Sequence, residues 1–297
     1  MAKVARVQVQ RVLTQTPLAR QHEKILEGKV TRGRPPIDFA RFDRSKYPRS
    51  ALELAHHAQT RLALGEYSAV DLFAHLASAM ALHGIPFDLV AAASSIPHDE
   101  IRHADYAMRA AKAISGTDAL LEYDAGALRK RWETSMTLED LDFVMMEVAA
   151  IGETLSCSLL SACRDRAKDP MIRAIFSGIV SDEVHHARLG WYYFSWRAPQ
   201  WSRAERQRVA DRAGHVVMDI ERRFWQGRDA PPAARGAARD LGVLESEGQR
   251  EAVHDVMEDE IIPGLDALGL GSSHAWRIRR RGAAGSLRGS AAWETRS

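Results

Sequence analysis

The sequence Asp-Glu-x-x-His-Ala occurs twice in this chain of 297 residues. It reads Asp99-Glu100-Ile101-Arg102-His103-Ala104 and, 83 residues later, Asp182-Glu183-Val184-His185-His186-Ala187. Positions i and i+3 of a helix share a face one turn apart. Glu100 with His103, and Glu183 with His186, can therefore each grip one cation. A lone Glu precedes each pair in an apolar stretch: Glu66 lies 34 residues before Glu100, and Glu153 lies 30 before Glu183. Four carboxylates and two imidazoles from four helices can hold two iron or manganese ions inside a helical bundle. Hard carboxylate oxygens with one imidazole per ion suit Fe or Mn, alone or mixed, better than zinc, whose structural sites are closed N/S tetrahedra.

The positions of these acids strengthen the reading. Glu66 is in line with Leu62, Val70 and Phe73, and Glu153 shares its face with Met146, Ala149, Ala150 and Leu160. A carboxylate on such a stripe costs several kcal/mol unless it is paired or binds metal. Phe73, Met146 and Cys157, the last one turn beyond Glu153, are candidates to line a pocket beside the ions. Asp99 and Asp182 precede the motif Glu residues. A metal-bound His donates its other N–H to a carboxylate or carbonyl, so each Asp is expected to serve a His, that of the opposite half being one choice. Glu147 points away from Glu153 and reads as a surface or interhelix acid.

These side chains need long helices to carry them. Apolar periodicity predicts helices over 49–83, stopped at Gly84-Ile85-Pro86, and over 87–114, ending near Ser115-Gly116. A short connecting helix is expected over 118–132. Thr137-Leu138-Glu139-Asp140 reads as the capped start of a helix reaching about Lys168. Asp169-Pro170 opens another, ending before Pro199. Helices over 202–226 and 246–262 follow, with a loop around Pro231-Pro232 and Gly236 between them; Pro263-Gly264 interrupts or ends the last. No segment alternates at period two, so an all-α fold with almost no strand is expected. The domain layout is an N-terminal arm over 1–48, partly disordered, a helical domain over 49–270 and a disordered basic tail over 271–297.

Bulk composition excludes several classes. The net charge is +2, from 41 Lys and Arg against 39 Asp and Glu. Positive charge gathers at the ends, which read as solvated tails; a nucleic-acid partner is not favoured. Two cysteines, Cys157 and Cys163, form neither a Cys-x-x-Cys site nor a disulfide framework, so a cytoplasmic location is expected. No run of about 18 apolar residues is present, and a membrane partner is not expected.

The doubled motif with its two upstream Glu residues resembles the ferritin-like superfamily of di-iron carboxylate proteins, over roughly residues 49–198. The resemblance implies a four-helix bundle with additional C-terminal helices and two iron ions held by Glu66, Glu100, His103, Glu153, Glu183 and His186, two Glu residues bridging the pair. It implies a non-haem di-iron oxidase or monooxygenase that uses O2 on a small organic substrate. The alternative is a ferroxidase or peroxide-scavenging protein without organic substrate. The chain is far longer than the superfamily's storage ferritins and lacks the Cys-x-x-Cys pair of rubrerythrins. Its extra helices can wall off a substrate pocket. No flavin or nicotinamide fingerprint occurs, so a separate electron donor is expected. The ring-rich run Trp191–Trp196 must pack on the next helix or on a second subunit, which leaves a homodimer open.

Overall fold

The structure is a computed structural model describing residues 6–9, 36–117, 121–124, 136–224 and 229–282. Two long helices open the body, α1 (Arg49–Leu82) and α2 (Phe87–Ser115). They pack as a hairpin along their length. The turn is built by Gly84, whose φ of 65° only glycine adopts freely. Ile85 N donates to Met80 O and Gly84 N to Ala81 O, the paired bonds of a Schellman stop.

A second hairpin follows. Helix α3 (Leu138–Arg166) starts at the Thr137 and Asp140 capping box that the sequence suggests. Helix α4 (Pro170–Arg197) starts at Asp169, whose side chain accepts from Met171 N and Ile172 N, with Pro170 in the first turn. Helices α2 and α4 join the two hairpins into a helical bundle. By length and composition α3 could cross a membrane. Its apolar residues, among them Leu141, Met145, Met146 and Leu155, are instead buried in the protein core.

Helices α5 (Arg203–Phe224), α6 (Arg235–Asp240), α7 (246–267) and α8 (Ser272–Gly282) complete the described body. Helix α7 lies on α3, and α8 lies on α5. Apolar residues form two large clusters. One holds Phe73, Met146, Leu189 and the α5 and α7 contacts; the other holds Tyr106, Leu160, Ile175, Ile179 and the α6 contacts.

Several expectations need correction. Residues 121–124, placed in a connecting helix, form strand β2 (Leu121–Asp124), antiparallel to β1 (Arg6–Val9) with Arg6 opposite Asp124. The rest of that segment lies outside the described residues, as do 10–35 of the arm. Residues 39–46 form two short turns capped by Asp38 and Asp43. The stretch read as a loop contains α6, and Pro263 does not end α7. A π-helical turn, Met257–Ile261, precedes it, so the missing Pro263 N–H falls in the first turn of the continuation. The assigned tail begins as α8, because Trp276 is buried against the core and its indole N–H donates to Glu258; residues 283–297 lie outside the described ones.

Candidate metal centre

The structure brings together the six side chains singled out by spacing, at mid-height between the two apolar clusters. Two overlapping groups form. In one, Glu66, Glu100, His103 and Glu183 each offer a donor atom within 4.8 Å of the others; in the other, Glu100, Glu153, Glu183 and His186 do the same. Glu100 and Glu183 belong to both. His103 Nδ1 lies 3.3 Å from Glu183 and 3.8 Å from Glu66, and His186 Nδ1 lies 3.1 Å from Glu100 and 4.0 Å from Glu153. Both imidazoles and both shared carboxylates are almost wholly buried.

The donors do not satisfy one another. Glu100 Oε2, Glu183 Oε2, His103 Nδ1 and His186 Nδ1 are buried and make no hydrogen bond. Buried polar atoms of that kind are rare and demand a reason. Here they belong to two groups whose donor atoms lie close enough to hold a metal ion. The residues present therefore fit a metal site.

The outer nitrogens are held from the opposite half of the repeat. His103 Nε2 is 3.2 Å from Asp182, and His186 Nε2 is 3.5 Å from Asp99. Each carboxylate fixes its ring with Nδ1 turned inward. Between the two acids lies Arg102, 4% exposed, whose guanidinium donates to both Asp99 and Asp182. Sequence reasoning missed Arg102. Its signal was its place inside the first motif, where the second motif has His185.

Electrostatics follow from burial. Burial drives the Glu66 carboxyl well above the usual range, and the charge of Glu100 adds to it. Burial raises Glu153 likewise, with Glu183 and Glu100 contributing. Burial opposes ionisation of Glu100 and Glu183 too, but the two imidazoles hold both below the usual range. Burial also disfavours the imidazolium forms, yet the surrounding carboxylates prevail. His103 is raised well above its ordinary value and His186 is pushed up to about 12.

Backbone irregularities stand next to two of the candidate positions. Met145–Gly152 of α3 is π-helical and ends where Glu153 begins. Helix α2 carries Pro97 just before Glu100. Lacking an N–H, Pro97 leaves the carbonyl four residues earlier without its helical donor. Among the proposed pocket residues, Phe73 and Met146 are fully buried in the first apolar cluster, Phe73 with its ring 6.2 Å from that of His186. Cys157 is half-buried, and burial and the nearby Glu183 charge raise its thiol. Glu147 pairs with Arg212 of α5 at 2.7 Å, the interhelix role its spacing suggested. No family model matches this chain, and no curated protein sequence matches it.

Proposed function

We propose that this chain is a non-haem di-iron oxidoreductase, built on a ferritin-like four-helix bundle, that uses O2 to oxidise or oxygenate a small organic substrate. The observation that carries the reading is the set of four buried, unsatisfied donor atoms on Glu100, His103, Glu183 and His186. When bound, the iron pair supplies the electrons and open coordination positions for dioxygen chemistry. Glu66 and His103 would hold one ion, Glu153 and His186 the other, with Glu100 and Glu183 spanning both. Manganese fits the same donors.

The chain's own part is positional. Asp182 and Asp99 keep the outer imidazole nitrogens engaged, so that each Nδ1 lone pair faces inward. Arg102 offsets part of the charge on the two Asp side chains and ties them together. The apolar clusters on either side keep bulk water out. Electrons come from a separate donor. Helices beyond the bundle, α5 and α7 among them, pack on α3, and this added wall favours an organic substrate over bare iron handling.

The protein reconstituted with ferrous iron should bind about two ions per chain. In its reduced form it should consume O2, faster when the substrate is present. Repeated oxidation of added Fe2+ to a mineral, unaffected by any organic compound, would shift the function to iron handling. A wild-type protein that binds no iron at these residues would end the dimetal reading.

A further inference from the structure

The π segment of α3 ends at a small hydrogen-bonded latch. The Glu153 N–H donates to Val148 O, five residues back, as a π turn requires. The next residue, Thr154, is buried, and its hydroxyl donates to Ala150 O at 2.6 Å. Across the interface the Trp191 indole N–H donates to that same hydroxyl oxygen at 3.1 Å. The indole ring is held from a third side as well. A Cβ at Gly264 of α7 would stand 2.7 Å from the ring, so the α7 backbone backs it closely. Trp191 thus ties α3, α4 and α7 together one residue from Glu153.

The other half of the repeat lacks this arrangement. Eight residues after the motif Glu, where the second half has Trp191, the first half has Met108, whose side chain offers no N–H. Glu66 there stands on unbroken α-helix. A π turn holds one residue more than an α turn. A return of residues 145–152 to α geometry would therefore turn Glu153 by about 100° relative to the capped start of α3. Its carboxylate would then leave the group it forms with Glu100, Glu183 and His186.

We infer that Trp191 is a positioning residue: through Thr154 it holds the π register in which Glu153 faces the proposed metal pair. This role rests on the dimetal reading above. Glu153 serves one side of the cage only, so the latch governs the ion held with His186 and not the ion at Glu66 and His103.

Two substitutions test the latch. Trp191→Phe keeps a ring against Gly264 and removes the N–H; Thr154→Val keeps the shape and removes the hydroxyl. Chelator competition on the iron-loaded protein and amide hydrogen exchange on the metal-free protein are the measurements. Either variant should hold one of its two ions roughly tenfold less tightly, the value of one hydrogen bond, with the other unchanged. Residues 145–154 should exchange faster than in the wild type, and the residues around Glu66 should not. Thr154→Ser, which keeps the hydroxyl, should behave as the wild type. In a Glu153→Ala background, where the remaining ion sits at Glu66 and His103, Trp191→Phe should change nothing. Unchanged affinity in both variants, equal weakening of both ions, or unchanged exchange over 145–154 would each overturn the role of Trp191. A wild-type chain that holds no iron is a separate failure, that of the dimetal reading, and takes this role with it.

Discussion

The two halves of the repeat carry the same chemistry on different backbones. In the first, Glu66 stands on uninterrupted α-helix; in the second, Glu153 follows eight π-helical residues, Met145–Gly152. The difference has a partner across the bundle. Seven residues after the motif Glu, the first half has Ala107 and the second has Gly190. A Cβ at Gly190 would collide with the backbone of Ala149 and Ala150, inside the π segment. A wider helical turn and a missing side chain thus let α3 and α4 approach closely beside Glu153. Repetition of the motif sets which donors are supplied. The local backbone decides how each end of the cage is held, and π turns of this kind often mark functional positions.

The largest effect should separate the shared carboxylates from the terminal ones. Glu100→Ala removes a donor from both groups and should take the iron content from about two ions per chain to nearly none. Glu153→Ala removes a donor from one group and should leave about one ion. Elemental analysis of the folded variants decides it. Equal losses from the two substitutions would mean that Glu100 is not shared, and the two-fold arrangement would be wrong.

The next effect isolates the backbone difference. Gly190→Ala forces overpacking against Ala149 and Ala150, at a cost of about 1–3 kcal/mol. Calorimetry should show a fall of several degrees in melting temperature. Gly65→Ala, beside Glu66 where nothing lies within 4 Å of an added Cβ, should be neutral or slightly stabilising. A Gly190→Ala protein as stable as the wild type would remove the reason given for the glycine.

The legibility of the molecule divides along the same line. Helix starts and stops that depend on local chemistry were readable: Thr137 with Asp140, Asp169 with Pro170, and Gly84 all act as their residue types suggest. The convergence of Glu66, Glu100, His103, Glu153, Glu183 and His186 was readable from spacing, because a carboxylate on an apolar stripe has few other uses. The π segment was not. Its sequence, Met-Met-Glu-Val-Ala-Ala-Ile-Gly, is as apolar as ordinary core helix, and the extra residue is fixed by Gly190 across the interface. Strand β2 was missed because four residues are too few to display a period, and their pairing with Arg6–Val9 is long-range. Helix α8 was obscured by its arginines; Arg279 stacks over Trp276 at 3.3 Å, covering the ring that docks the segment.

Arg102 offers the finest comparison, since the repeat supplies its own control. Arg102 and His185 occupy the same position of the two motifs, directly before the motif His. Arg102 is buried and joins Asp99 to Asp182, whereas His185 is exposed and no hydrogen bond from its ring is seen to either acid. Without the guanidinium the two carboxylates would repel and turn outward, and His103 and His186 would lose their orientation. Arg102→Leu should therefore weaken iron binding by about 10–100-fold, the range for substitutions behind a metal ligand. His185→Leu should leave it unchanged. Competition with a chelator measures both on folded protein. Arg102→Lys should recover part of the loss, because both bonds leave one nitrogen, Nη2, and an ammonium carries enough donors for two carboxylates but on a shorter stem. Equal effects from Arg102→Leu and His185→Leu would mean that the Arg102 bridge does not orient the imidazoles, and the two halves would then differ only in the backbone beside Glu153.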